Sequence, residues 1–148
     1  MERLIKFLMI AIVAVWTLVL GMNVKAQVVN PDVHQSNINQ TICVPGWTAT
    51  IRPPATYTNK IKRALVNETA AADVMEDYEL DHVVPLAVGG HPTDPRNLHL
   101  QLWDGPDGAH AKDIVEVRMK KAVCDHKITL AKAQACFITG WQTCPQIR

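Results

Sequence analysis

Two adjacent side chains, Asp81 and His82, have the chemistry of a hydrolytic site. An imidazole titrates near neutral pH and can take a proton from water, which makes His82 a candidate general base. A carboxylate is a hard oxygen ligand suited to Mg²⁺ or Mn²⁺, which makes Asp81 a candidate metal ligand. The pair lies in the run Tyr78-Glu79-Leu80-Asp81-His82-Val83-Val84-Pro85, ahead of Gly89-Gly90 and of a second run that begins at Asn97. We therefore expect a site held between two short strands.

The elements around this pair can be predicted from local patterns. The β-branched run at residues 80–84 is flanked by turn residues and predicts a strand, which is followed by a loop over residues 85–95. A second strand is predicted to begin near Asn97, because three leucines alternate with polar residues as far as Leu102. A Gly- and Pro-rich loop then precedes a predicted helix over residues 109–123.

The ordered set Glu-Leu-Asp-His-Val-Val-Pro-Leu, Gly-Gly and Asn-Leu resembles the HNH nucleases, whose ββα-metal fold joins two strands and a helix around one divalent cation. From about residue 43 to residue 141 the chain is also similar to small exported bacterial HNH-type proteins, which share Cys-x-Pro-Gly, Lys-Asp-x-x-Glu and Val-Cys. The resemblance implies an α+β fold with a ββα-metal hairpin-helix core, additional flanking helices and disulfide cross-links.

The resemblance also implies residue roles. His82 would be the catalytic base, and the side-chain amide of Asn97 would hydrogen-bond to the loop backbone and hold that base in position. One divalent metal ion, Mg²⁺ or Mn²⁺ with Zn²⁺ and Ni²⁺ as alternatives, would bind Asp81 and a second ligand on the helix. The helix position departs from the commonest family pattern, so His110 is the first choice, Asp113 the alternative and Glu116 a more distant candidate.

Four cations are candidates for binding the substrate. Lys60, Lys62 and Arg63 belong to a helix predicted over residues 59–65 with Thr58 as its N-cap, and Lys112 belongs to the helix that follows the hairpin. An ordinary solvated helix face is the alternative interpretation of the first three. The charge pattern of this helix fits a substrate-binding surface and a solvated helix face.

The first 26 residues have the pattern of a secretory signal peptide. A short basic lead precedes the apolar run at residues 7–20, and Ala26 ends a small-residue cleavage pattern. An uncleaved signal anchor is the alternative, because the apolar run falls just short of a bilayer span. Cleavage would give an exported chain, periplasmic or secreted, with a flexible polar arm over residues 27–42 and one domain over residues 43–148.

The cysteines and the overall charge limit the class of protein. All four cysteines lie in the predicted exported part, and none forms a C-x-x-C pair, which favours two disulfides over a zinc ribbon. Of the three pairings, we favour Cys43 with Cys124 and Cys136 with Cys144, because the second closes a short loop at small entropic cost.

The predicted exported part is close to neutral. Residues 1–26 hold three of the 15 basic and one of the 14 acidic residues, which leaves 12 basic and 13 acidic residues. Nucleic-acid affinity must therefore come from local patches or a metal.

Two further elements are predicted. The alternation at residues 48–52 favours a short strand ended by Pro53-Pro54. Thr129 and Gly140 have the residue types of an N-cap and a C-terminal cap for a last helix over residues 130–139. At least two of the tryptophans Trp47, Trp103 and Trp141 are expected in the core. His91 is interpreted as an ordinary turn residue, and His99 as a residue on the polar face of the second strand.

Together these features predict an exported, metal-dependent endonuclease that hydrolyses DNA, or RNA as well, with little sequence specificity. No protein partner is indicated, and no stable membrane association is expected after signal cleavage. The alternative is a non-catalytic periplasmic or surface binding module that keeps the ββα scaffold.

Overall fold

The computed structural model describes residues 28–69 and 72–147, and the predicted signal peptide lies outside them. These residues form a mixed α+β fold with a two-stranded antiparallel sheet. Its helices and strands are α1 (Trp47–Ile51), α2 (Ala55–Glu68), β1 (Tyr78–His82), β2 (Leu98–Leu102), α3 (Ala109–Cys124) and α4 (Leu130–Thr139). Short 3₁₀ segments lie at Gln35–Gln40, Ala72–Asp77, Leu86–Val88, Pro95–Asn97 and Trp141–Thr143.

The hairpin of β1 and β2 has the predicted order, but β1 lies two residues earlier than predicted. The strands pair with Asp81 opposite His99 and His82 opposite Leu98. Val84 leaves the ladder because the side chain of Asn97 takes its backbone groups, accepting from its N–H and donating to its C=O. A side chain therefore ends the strand where a continuing β-branched run would have extended it.

The double glycine allows the loop after β1 to fold back on itself. Gly89 has φ 77°, in the left-handed region. A Cβ atom on Gly90 would lie 1.7 Å from the carbonyl oxygen of Val84, so no side chain fits there. The backbone N–H of Gly90 donates to the Pro85 carbonyl at 2.9 Å and closes the loop.

The expectation of a flexible arm over residues 27–42 is not met by residues 28–42. Val28, Val33, Ile38 and Ile42 are buried in the main hydrophobic core. The segment is also joined to the glycine loop, since Asn30 N–H donates to the Gly89 carbonyl and His91 N–H donates to the Val28 carbonyl. Burial of apolar side chains offsets the cost of ordering a segment whose composition is polar.

The two elements before the hairpin differ from prediction. Residues 48–51 of the predicted strand lie in the short helix α1, and Arg52 is its C-cap. Within residues 28–69 and 72–147 no strand lies beside this segment to complete a ladder, and Thr50 Oγ1 donates to the Trp47 carbonyl at 2.7 Å. Helix α2 begins at Ala55, earlier than predicted, with Pro54 as its N-cap. Proline is tolerated there because the backbone N–H groups at the start of a helix have no partner within the helix, so the N–H that proline lacks is not needed. The predicted cap Thr58 therefore lies inside the helix.

The C-terminal half agrees with prediction. Helix α3 ends one residue beyond its predicted end, and α4 has its predicted bounds, with Thr129 Oγ1 accepting from Lys132 N–H. Both predicted disulfides are present, Cys43–Cys124 and Cys136–Cys144. The paired cysteines are 81 and 8 residues apart in the sequence. On the chain-entropy model the disulfide that closes the longer loop gives the larger stabilisation.

Helices α3 and α4 contribute most of the remaining core. Val115, Met119 and Val123 of α3 pack with Leu130 and Phe137 of α4. Trp47 and Trp141 pack against this core, as expected for at least two of the tryptophans. Helix α2 packs against β1 and β2.

Two disulfides are typical of an oxidising, extracellular environment. Within residues 28–69 and 72–147 no helix is long and apolar enough to span a membrane.

Candidate active site

A cleft of about 290 Å³ lies between β1 and the start of α2. Arg52 and Lys62 line it from the α2 side, and Glu79 and His82 line it from β1. Trp103, just after β2, also lines it. The cleft therefore combines two cations, a carboxylate, an imidazole and an aromatic face.

His82 is the last residue of β1 and is held firmly in this cleft. It is 6% exposed, and its Nε2 lies 3.1 Å from the carbonyl oxygen of Pro92. Burial lowers the pKa of His82 below its usual value, although the contact with the Pro92 carbonyl and the charge of Asp81 oppose that shift. Burial therefore favours the neutral imidazole, which is the form that can accept a proton.

Asn97 has the contacts predicted for it. It is fully buried, and its side-chain amide donates to the carbonyls of Val84 at 3.0 Å and His91 at 2.8 Å. Its Oδ1 accepts from the backbone N–H of Val84 at 2.8 Å. One side chain thus ties both ends of the loop that follows His82, including the stretch that carries Pro92.

Asp81 points away from His82 toward α3, as neighbouring residues on a regular strand do. Its Oδ2 lies 2.6 Å from Nζ of Lys112, and its Oδ1 accepts the backbone N–H of His82 at 2.7 Å. Lys112 Nζ also donates to Glu116 Oε1 at 2.7 Å and to the His82 carbonyl at 2.9 Å. Burial alone would lower the pKa of Lys112, but the charges of Asp81 and Glu116 outweigh it and raise that pKa.

The residues assigned to a metal are not brought together. His110 has 63% of its side chain exposed, and its ring lies against Trp103 at a tilt of 32°. Its Nε2 is 3.8 Å from Oδ1 of Asp104, and Asp113 is exposed on α3. Among residues 28–69 and 72–147, no three His, Cys, Asp or Glu side chains are arranged to hold a metal ion. With both oxygens of Asp81 already engaged, the proposed ligand set does not fit a divalent cation in this arrangement.

The candidate substrate-binding cations separate into three environments. Lys62 lines the cleft beside His82. Lys60 and Arg63 are exposed elsewhere on α2 and do not line it. Lys112 is 1% exposed, so the prediction that it binds substrate at the surface is wrong: Asp81 and Glu116 hold it inside.

The charged and aromatic residues of the cleft that were not among the predicted site residues are Arg52, Glu79 and Trp103. Glu79 precedes Asp81 by two residues on a strand, a spacing that places both carboxylates toward one face and that was visible in the sequence. Arg52 was assigned to a strand, and Trp103 was one of three tryptophans of which at least two were expected in the core. Their approach to His82 depends on how α1 and α2 pack on the hairpin.

Glu79 carries a strongly shifted carboxyl group. Its pKa rises from 4.5 to about 7, first because burial disfavours its charged form and then because Asp81 and Asp113 repel it. The positive charge of Lys112 only partly offsets this. Around pH 7, Glu79 is therefore divided between its neutral and charged forms.

The chain matches no protein-family model, and no curated protein or solved structure is significantly similar to it. The geometry of the described residues is therefore the basis for any functional argument.

We predict that replacing Glu79 by glutamine stabilises the protein at high pH. The folded-state pKa of Glu79 lies above its unfolded value, so the wild-type free energy of unfolding falls as pH rises from about 4.5 to beyond 7. Glu79→Gln never acquires the charge, and its gain over wild type should be about 1–2 kcal/mol larger at pH 8 than at pH 4.5, a value reduced for partial exposure.

Urea unfolding at both pH values measures this difference. Glu68→Gln, at an exposed position near the end of α2, is the matched control and should show little difference between the two. Equal gains in the free energy of unfolding for Glu79→Gln at pH 4.5 and pH 8 would contradict the raised pKa of the Glu79 carboxyl group.

Proposed function

We propose that the protein is an exported endonuclease of the HNH type that hydrolyses phosphodiester bonds in DNA or RNA. The single observation that carries this proposal is the imidazole of His82, held by the Pro92 carbonyl in a cleft that also presents Arg52 and Lys62. In this proposal β1, β2 and α3 correspond to the ββα core that the resemblance implies. The two disulfides support the export part of the proposal.

The contact between His82 and Pro92 supports a general-base role. A carbonyl oxygen can only accept a hydrogen bond, so Nε2 of a neutral His82 carries the proton in this contact. The lone pair then lies on Nδ1, which can take a proton from a water molecule as that water attacks phosphorus. The bond from phosphorus to the departing sugar oxygen breaks, and that oxygen takes a proton from solvent. Asn97 fixes the loop that holds Pro92 and so has a positioning role, as expected from the resemblance.

The two cations of the cleft suit the other requirement of the reaction. Attack on a phosphodiester adds negative charge to the phosphorus oxygens in the transition state, and fixed positive groups stabilise that charge. A guanidinium such as that of Arg52 binds phosphate oxygens in a bidentate manner, and an ammonium such as that of Lys62 acts as a point charge. Trp103 offers a face for a base beside the scissile phosphate, with no base-specific hydrogen bonding required.

Replacing His82 by alanine should lower the rate of plasmid nicking by about 10²–10⁴-fold, the usual contribution of general acid-base catalysis. His126→Asn is the control, because His126 is exposed and has φ 57°, a conformation that asparagine tolerates. Circular dichroism confirms that both variants fold. An unchanged nicking rate in folded His82→Ala would reject the nuclease proposal and favour the non-catalytic binding module.

Lys62→Ala and Lys60→Ala form a second matched pair on one helix. Since only Lys62 lines the cleft, Lys62→Ala should weaken binding of a short DNA duplex by about tenfold and lower the salt slope by about one, whereas Lys60→Ala should change affinity less than twofold. Fluorescence anisotropy over a salt titration measures both quantities. Equal losses for the two variants would show that DNA binds to α2 by general charge and not in the cleft.

A further inference from the structure

The ammonium group of Lys112 lies in a complete cage of oxygen atoms. Its three N–H groups are matched by three acceptors: Asp81 Oδ2 at 2.6 Å, Glu116 Oε1 at 2.7 Å and the carbonyl of His82 at 2.9 Å. The side chain of Lys112 is 1% exposed, and those of Asp81 and Glu116 are 16% and 18% exposed. Nζ also lies 5.9 Å from the ring centroid of Phe137.

These acceptors are the kind that a hard divalent cation uses. Two carboxylate oxygens and a backbone carbonyl are typical ligands of Mg²⁺ and Mn²⁺. One of the carboxylates belongs to Asp81, the residue that the sequence assigns to a metal. In the folded protein a cation does occupy the centre of this group, and it is the protein's own ammonium.

We propose that Lys112 permanently fills the cation position formed by Asp81, Glu116 and the His82 carbonyl, so that the chain binds no divalent metal at Asp81. The consequence for catalysis, that cleavage does not need such a metal, rests on the proposed function. The positive charge required beside the phosphate then comes from Arg52 and Lys62, which line the cleft together with His82.

Three features keep Lys112 in place. The two carboxylates and the ammonium leave one net negative charge, and an expelled Lys112 would leave two largely buried carboxylates without their cation. A divalent ion entering beside the ammonium would meet strong like-charge repulsion in a poorly solvated site. Lys112 also donates to the backbone of the catalytic residue, so its departure would release the end of β1.

The test measures Mn²⁺ binding by electron paramagnetic resonance on the full chain, with no activity assay needed. Wild-type protein should bind no Mn²⁺ that depends on Glu116. Lys112→Met removes the ammonium while keeping an unbranched side chain, and it should acquire one Mn²⁺ site that Lys112→Met/Asp81→Asn loses. Mn²⁺ should also raise the thermal midpoint of Lys112→Met, because binding to the folded state stabilises it.

One-to-one Mn²⁺ binding to wild type that Glu116→Gln abolishes would overturn the proposal. So would a folded Lys112→Met that fails to bind Mn²⁺, because the three oxygens would then not form a cation position. If Lys112→Met does not fold with or without Mn²⁺, the proposal is tested by Mn²⁺ binding to wild type and Glu116→Gln alone.

A plasmid-nicking assay in excess EDTA tests the catalytic consequence, and the wild-type rate should fall less than twofold. Loss of nicking on EDTA treatment, restored by Mn²⁺ and abolished again in Glu116→Gln, would overturn that consequence. A chain that nicks no DNA under any condition but shows the expected Mn²⁺ pattern would reject the proposed function and leave the assignment of Lys112 intact.

Discussion

The ion pair between Lys112 and Asp81 is the interaction on which the arrangement of the candidate site depends. It joins the first turns of α3 to β1 across 31 residues of sequence, and the same ammonium reaches Glu116 one helical turn further on. A buried charge without partners is strongly unfavourable, so each of the three groups requires the others. The hydrogen bond from Lys112 to the His82 carbonyl then fixes the end of the strand that carries the candidate base.

A second set of contacts fixes the other side of His82. Asn97 joins the two ends of the loop after β1, and the N-terminal segment 28–42 pairs with the glycine part of that loop. The imidazole therefore sits between a charged network toward α3 and a clamped loop toward Pro92. Such positioning by neighbouring residues is what keeps a catalytic side chain in a productive orientation. In our account Asp81 serves this structural role, and the charge that acts on substrate lies in the cleft.

Features encoded locally were predictable from the sequence, and features that depend on distant partners were not. The bounds of α3 follow from periodicity and the preceding Gly- and Pro-rich loop, and those of α4 follow from its capping residues. The contacts of Asn97 are those that the resemblance implies. Helix α1 was mistaken for a strand because five alternating residues fit both elements. Segment 28–42 looked flexible because its four core residues have no regular period, and only the fold brings α3, α4 and the glycine loop against them.

Lys112 shows the same limit at the candidate site. A lysine on an amphipathic helix is usually solvated, and its Glu116 partner at i+4 fits an exposed pair equally well. Its partner Asp81 lies on a different element, and no local pattern signals that the two meet. Likewise, Arg52 and Trp103 join the cleft only when α1, α2 and the hairpin pack together.

A double-mutant cycle between Asp81 and Lys112 tests the central claim most directly. Urea unfolding would compare wild type, Asp81→Asn, Lys112→Met and the double variant. Each single variant leaves a buried charge with one partner fewer and should lose about 3–5 kcal/mol, while the double variant should lose at least about 2 kcal/mol less than the sum of the two. Losses that add to within about 0.5 kcal/mol would contradict the account, because the two side chains would then be independent.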